Sequence, residues 1–251
     1  MTAGRLTCGN HPADGKDDRV STIALLHALG LSHRMWERQV ADLTDRYRVR
    51  TPDLPGHGGA PGPFTLAGAI ETVVTALRDE DEPVHLCGLS LGATVAIQVA
   101  LAAPERVRSL VLSGGIAHAP PFVMGVQRLA TTLTPWSMTL SGTRRLYARY
   151  GDAVARTATD DMRAAGKDTL RDANREMARI DLRPRLREVR APALVLCGGD
   201  DRANFGNALA LARGVPGARL QVIPDAGHLW SLEFPEAFTR TLTAFVECVE
   251  G

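Results

Sequence analysis

The sequence of 251 residues lacks several features that would indicate nucleic acid, a membrane or secretion. Its formal net charge is only +1, so no overall electrostatic attraction to nucleic acid or to an anionic membrane is expected. No apolar run approaches the roughly 20 residues that a membrane-spanning helix requires. The polar first 19 residues contain no apolar segment of the kind found in signal peptides. We therefore expect a soluble, cytoplasmic protein that binds neither nucleic acid nor membrane.

Signals for metals and organic cofactors are missing as well. The four cysteines are scattered, with no CxxC pair and no histidine pair beside them. Two of them, Cys87 and Cys197, lie in apolar runs, where a free thiol behaves as a small hydrophobic side chain. The chain has neither a GxGxxG loop for dinucleotides nor a GxxxxGK[ST] loop for nucleotide phosphates. We expect no metal site and no cofactor.

Short apolar runs that alternate with longer helical patterns are what the sequence does contain. Such runs, apolar on both faces, are typical of parallel strands covered by helices, and the alternation predicts an α/β layered fold. The predicted strands are Ser21–His27, Arg46–Thr51 (the weakest), Val84–Gly88, Val107–Ser113, Ala193–Cys197 and Ala218–Ile223. The predicted helices are 34–44, 65–79, 91–103, 203–213 and 235–249.

One long segment interrupts this alternation. Residues 118–190 contain no good strand, and seventy residues are too many for a simple connection. We predict a helical lid inserted there, with residues 1–117 and 191–251 forming the core domain. The segment has 14 Lys+Arg and 8 Asp+Glu, hence +6, which leaves −5 for the remainder. This charge favours either a solvated helix face, with Arg171, Arg175 and Arg179 at four-residue spacing, or a lid that prefers anionic or polar substrates.

The strongest local signal is the pattern G-x-S-x-G at Gly88–Gly92. It directly follows one predicted strand and directly precedes one predicted helix, which is the setting of a nucleophile elbow. A sharp turn there holds the serine in strained backbone geometry and aims its hydroxyl out of the sheet. The two glycines let strand and helix approach closely. We therefore predict that Ser90 is a nucleophile, and we expect the N–H of Leu91, at the start of the helix, to stabilise a developing oxyanion.

A serine hydroxyl needs a base, and the base needs an acid that orients it. His228 lies in the loop after the last predicted strand, at the same sheet edge as Ser90, and is the predicted base. Asp200 and Asp201 follow the strand Ala193–Cys197, so either carboxylate could be the acid from the residues alone. Asp225 is a third, less favoured candidate, because it is close in sequence to His228 and would have to reach across.

These motifs together resemble the α/β-hydrolase superfamily, in particular its small lidded esterase-like and lactonase-like members. The resemblance covers roughly residues 20–115 and 185–250 and implies a mostly parallel central sheet flanked by helices. It implies Asp201 as the acid, because the family acid often stands three positions after a glycine such as Gly198. It also implies a second oxyanion donor, the N–H of Leu29, in a loop that departs from the family pattern His-Gly-x-Gly by carrying Ala28. The segment Asp53–Gly58 is similar to a further family signature, and we expect Asp53 to support its turn.

The sequence thus predicts a serine hydrolase that cleaves a small ester or lactone. A hydrolase of C–C bonds or a non-hydrolytic cyclase or lyase could use the same residues, and a receptor that has lost turnover is a third reading, to which Ala28 contributes. His118, Trp136 and Trp230 are candidates for the substrate pocket. Nothing in the sequence indicates an oligomeric state or identifies the substrate.

Overall fold

The structure, a computed structural model, describes residues 20–251. The first 19 residues, where the sequence predicts no signal peptide, lie outside the described residues. Six strands form one sheet in the order β2-β1-β3-β4-β5-β6, and all five pairings are parallel. The strands are β1 Thr22–Leu26, β2 Arg48–Arg50, β3 Val84–Leu89, β4 Val107–Ser113, β5 Ala193–Gly198 and β6 Arg219–Ile223.

Nine α-helices accompany the sheet within the described residues. They are α1 Glu37–Leu43, α2 Leu66–Ala76, α3 Leu91–Ala102, α4 Pro121–Leu133, α5 Trp136–Tyr147, α6 Asp152–Met177, α7 Arg202–Gly214, α8 Trp230–Glu233 and α9 Pro235–Glu250. All six predicted strands and all five predicted helices are confirmed. At 34–44 a short 3₁₀ turn, His33–Trp36, precedes α1.

The four central strands, β1, β3, β4 and β5, are buried on both faces, as their near-continuous apolar sequences require, whereas the edge strands β2 and β6 are partly exposed. Successive residues of a strand point to opposite faces, so Ile23 and Leu25 enter one hydrophobic core while Ala24 and Leu26 enter the other. Helices α1 and α9 cover the first core. Helices α2, α3 and α7 cover the second. No helix among the described residues has the length and apolar character needed to cross a bilayer.

Helices α4, α5 and α6 lie between β4 and β5, where the sequence predicts the lid; we call residues 118–190 the insert. The start of the insert lies against residues 181–182. His118 and Asp181 form an isolated antiparallel bridge, and the N–H of Leu182 donates to the carbonyl of Ala117 at 2.7 Å. Gly166, with φ 76° and ψ 166°, interrupts α6 and splits it into two helical parts. The division into core domain and insert remains a prediction.

The three arginines at four-residue spacing, two in α6 and one just after it, form local ion pairs. Arg171, Arg175 and Arg179 each lie within 3.6 Å of an acidic side chain three residues earlier in the chain. Their charge is balanced in place, which favours a solvated helix face for this part of the insert.

Candidate active site

Ser90 occupies a strained turn between β3 and α3. Its backbone has φ 57° and ψ −111°, a conformation that a residue with a side chain rarely adopts. The turn is held from two sides, because the N–H of Ser90 donates to the carbonyl of Ser113 at 2.8 Å and its carbonyl accepts from the N–H of Thr94 at 3.1 Å. Ser90 is therefore fixed at the carboxyl edge of the sheet, directly before the first residue of α3.

The flanking glycines are required by close backbone contacts. A Cβ on Gly92 would lie 2.1 Å from the carbonyl oxygen of Leu26, and one on Gly88 would lie 2.3 Å from the carbonyl carbon of Gly92. Neither backbone group can withdraw like a flexible side chain. The predicted reason for G-x-S-x-G, the close approach of strand and helix, agrees with this geometry.

His228 and Asp201 form a short hydrogen bond in the loops that follow β6 and β5. The Nδ1 atom of His228 lies 2.6 Å from Oδ2 of Asp201. Asp201 is 7% exposed, whereas Asp200 points into solvent. Asp225 has φ 57° and turns the chain from β6 into the histidine loop. Of the predicted acids, the structure places Asp201 against the imidazole.

Burial of the Asp201 carboxylate disfavours its charge, yet the net effect of its surroundings is to lower its pKa. The hydrogen bond from His228, the charge of that ring and the amide of Asn204 outweigh the burial. Asn204 donates through Nδ2 to Oδ1 of Asp201 at 2.7 Å. Sequence reasoning missed this residue, although its place three positions after the predicted acid, in the first turn of α7, could have drawn attention to it.

Gly114 leaves room for the imidazole. It has φ +59°, and a Cβ there would lie 2.6 Å from Cε1 of His228 and 3.7 Å from Oδ2 of Asp201. A side chain at this position would therefore push the ring away from its carboxylate.

The loop after β1 forms a tight turn at residues 28–31. The N–H of Leu31 donates to the carbonyl of Ala28 at 3.2 Å, and Gly30 supplies the φ of +74° that the turn requires. His27 fixes the same carbonyl. Its Nε2 accepts from the N–H of Leu54 at 2.9 Å, so its Nδ1 carries the proton and donates to the Ala28 oxygen at 2.9 Å.

Holding the Ala28 carbonyl also orients the N–H of Leu29, because both belong to one peptide plane and point in opposite directions. Among the described residues, no hydrogen bond is made by the N–H of Leu29 or by that of Leu91, the first residue of α3. Two predicted oxyanion donors thus have no partner in the described chain.

Ala28 does not distort this loop. Its φ is not among the positive values of the described residues, so its methyl group causes no backbone strain. The residue is 4% exposed, and its N–H lies 3.3 Å from Sδ of Met35. The departure from the family pattern is therefore accommodated by the fold.

Asp53 supports a turn, as the sequence predicts. Its carboxylate accepts from the N–H of His33 at 2.7 Å and from the N–H of Gly59 at 2.9 Å. Burial alone would raise the pKa of this carboxyl, but these hydrogen bonds and the His33 ring outweigh it, so the pKa lies below its usual value. The turn places His57 in a buried position 5.0 Å from the ring of His27.

The three candidate pocket residues are not brought together. Trp230 is 1% exposed, packs against Phe238 and donates to Oγ of Ser113 at 2.9 Å, so it belongs to the core behind the Ser90 turn. His118 is half-buried at the entrance of the insert, 3.8 Å from Asp181. Trp136 is half-buried at the start of α5. A place for Trp230 in a substrate pocket therefore stays a prediction, and its burial favours a packing role.

A cavity of about 340 Å³ lies between the insert and the core. Its walls include Leu31 and Met35 from the core and Tyr147 and Val154 from the insert. None of the predicted catalytic residues lines it. The described residues contain no group of three or more histidine, cysteine or acidic side chains placed to hold a metal ion.

Comparisons with known proteins agree with this architecture. The chain is 33% identical over 243 residues to a pimeloyl-[acyl-carrier protein] methyl ester esterase of Aromatoleum aromaticum, covering 85% of this chain and 93% of the relative. Among solved structures, a thermophilic esterase from Thermogutta terrifontis has a TM-score of 0.80 at 26% identity, covering 92% of this chain and 91% of that one. The enol-lactonase from Burkholderia xenovorans also has a TM-score of 0.80, at 25% identity, covering 93% and 94% of the two chains.

The sequence profile of the alpha/beta hydrolase family matches residues 23–241, which include every predicted catalytic residue. The relatives and structural neighbours confirm the predicted fold class and an ester-hydrolysing enzyme. The parallel sheet, the strained serine turn and this match together show that the chain belongs to the alpha/beta hydrolase family.

Proposed function

We propose that this protein is a serine esterase that acts through Ser90, His228 and Asp201. The 2.6 Å hydrogen bond from His228 to Asp201 carries the proposal, because it keeps a proton on Nδ1, between the ring and the carboxylate. Nε2 is then left as the base for a serine hydroxyl. The strained Ser90 turn at the same sheet edge supports the role of that serine.

The reaction proceeds in two steps. Ser90 Oγ attacks the ester carbonyl while His228 takes the hydroxyl proton, and Asp201 stabilises the imidazolium that forms. The N–H groups of Leu29 and Leu91 bind the oxyanion. His228 gives the proton to the departing alcohol, which leaves an acyl group on Ser90. Water, deprotonated by His228, then attacks this acyl group, and the carboxylic acid is released.

A methyl ester whose acyl chain carries a second, charged or carrier-linked end is the substrate class that we infer. The curated relative is named for a methyl ester linked to an acyl-carrier protein. The insert has a net charge of +6, and no ion pair in the described part of the chain involves Arg144 or Arg145, both exposed on α5. Unpaired guanidinium groups on this surface attract an anionic substrate or carrier.

A lactone is the second candidate substrate. The enol-lactonase from Burkholderia xenovorans shares the fold with a TM-score of 0.80, and a lactone presents the same carbonyl to a serine. A receptor role loses its one supporting feature, since Ala28 leaves the turn after β1 unstrained.

The test is covalent labelling with a fluorophosphonate, followed by intact-protein mass. We expect one label per chain in the wild-type protein and none in Ser90→Ala or His228→Ala. Steady-state rates are then compared for a neutral methyl ester, an acidic half-methyl ester, its carrier-protein conjugate and a lactone of similar size. Ester turnover by Ser90→Ala above one tenth of the wild-type rate would disprove the serine mechanism.

A further inference from the structure

The two oxygens of the Asp201 carboxylate have separate partners. Oδ2 lies 2.6 Å from Nδ1 of His228, and Oδ1 lies 2.7 Å from Nδ2 of Asn204. The Asn204 nitrogen is also 3.2 Å from Nδ1 of His228. Because both nitrogens carry protons when His228 is bonded to Asp201, these two donors converge on one carboxylate and do not bond each other.

The helix start explains why an amide is useful at this point. Asp201 is the N-cap residue of α7 and Asn204 is the third helical residue. An N-cap aspartate usually turns its carboxylate toward backbone N–H groups of the first helical turn. In this protein the side-chain amide of Asn204 reaches Oδ1 from that turn, which leaves Oδ2 directed at the imidazole.

The amide is itself held by the helix. The backbone N–H of Asn204 donates to the carbonyl of Asp201 at 3.1 Å, so the two residues keep a fixed separation. A donor preorganised in this way limits rotation of the carboxylate without any reorganisation during the reaction.

We propose that Asn204 is a positioning residue, which locks the Asp201 carboxylate in the rotamer that orients His228. This inference rests on the proposed function. Since the side chain of Asn204 bonds the carboxylate of Asp201, we expect its effect on the chemical step and not on substrate binding.

Asn204→Ala tests the proposal, with Asn207→Ala as the matched control. Asn207 lies one turn later in α7, and its Oδ1 accepts from the N–H groups of Ala117 and His118 at 3.0 Å each. The control thus loses hydrogen bonds in the same helix without touching the triad. We expect kcat for ester hydrolysis to fall about ten-fold in Asn204→Ala, the effect of one hydrogen bond to a charged group, with KM unchanged. Asn207→Ala should keep kcat within about two-fold.

A spectroscopic readout separates this proposal from the proposed function. The proton between His228 and Asp201 is followed by NMR in the Ser90→Ala background. This measurement does not require turnover. We expect a sharp downfield signal that broadens or moves upfield when Asn204→Ala is added and persists with Asn207→Ala. An unchanged signal, or equal kcat in the two single variants, would overturn the role of Asn204. Failure of fluorophosphonate labelling would instead overturn the serine esterase and leave the NMR comparison valid.

Discussion

At the scale of single residues, neighbouring carboxylates have different roles because their surroundings differ. Asp200 and Asp201 are adjacent in the loop after β5, but only Asp201 is buried and bonded to His228. From the residues alone both remained candidates, and the resemblance to the family favoured Asp201. When two aspartates are adjacent in one loop, the direction of each side chain depends on the hydrogen-bond partners that the fold places near it.

Replacement of each carboxylate by its amide should separate the two residues. Asp201→Asn removes the charge that stabilises the imidazolium and allows the wrong ring tautomer, so we expect kcat to fall by about 10³-fold or more. Asp200→Asn should change kcat by less than about two-fold, since the side chain is exposed. The measurement is kcat of both variants with the same ester. A larger loss of kcat in Asp200→Asn than in Asp201→Asn would make Asp200 the acid.

At the scale of elements, the turn after β1 shows how a buried histidine organises backbone donors. His27 is fully buried and links the carbonyl of Ala28 to the N–H of Leu54, which belongs to the loop after β2. Burial, followed by the nearby His57 ring, lowers the pKa of His27 to about 3. The neutral ring is the form that makes both hydrogen bonds.

This shift predicts a pH dependence of stability. Below pH 6.5 the unfolded chain binds a proton at His27 that the folded protein excludes until about pH 3, so the free energy of unfolding falls as the pH falls through this window. Between pH 7 and pH 4.5 the loss attributable to His27 is about 2–3 kcal/mol.

The measurement is urea unfolding of the wild type and of His27→Gln at both pH values. Glutamine keeps a donor and an acceptor but does not titrate. The free energy of unfolding of His27→Gln should therefore change less between the two pH values than that of the wild type, by about 2–3 kcal/mol. The pKa values of His57 and His85 are also lowered by burial, but both residues titrate in both proteins and their contributions cancel. Equal differences in the two proteins would contradict a buried neutral His27.

At the scale of the whole molecule, a buried carboxylate joins the insert to the core. Asp161 on α6 is 3% exposed and accepts from the N–H of Ser32 at 3.1 Å, from its hydroxyl at 2.8 Å and from Nε of Arg34 at 2.9 Å. Ser32 and Arg34 directly follow the turn that carries Leu29. The contact therefore connects the position of the insert to the predicted oxyanion loop.

Loss of this carboxylate should destabilise the protein and loosen the insert. Asp161→Ala leaves the Ser32 donors and the Arg34 guanidinium without their acceptor, and we expect a loss of about 3 kcal/mol in the free energy of unfolding. The neighbouring Asp160 is exposed and pairs with Arg163, so Asp160→Ala should cost less than about 0.5 kcal/mol. Urea unfolding and limited proteolysis within the insert measure both effects, and similar behaviour of the two variants would exclude a joining role for Asp161.

From the amino-acid pattern alone the strands and helices could be predicted, together with candidate residues for the chemistry. The central strands of the parallel sheet are apolar on both faces, and the pattern at Gly88–Gly92 predicts a turn, a nucleophile and close packing within five residues. His228 could be placed as well, because the loops after parallel strands meet at one edge of the sheet.

The side chains that meet across those loops could not be identified before the packing of the elements was known. The choice of Asp201, the amide of Asn204 beside it, the Met35 sulfur beside the N–H of Ala28 and the burial of Trp230 each depend on contacts between separate elements. A repeating pattern reports the face on which a residue lies. It does not report the rotamer or the distant partner, which are fixed when helices and loops pack around the sheet.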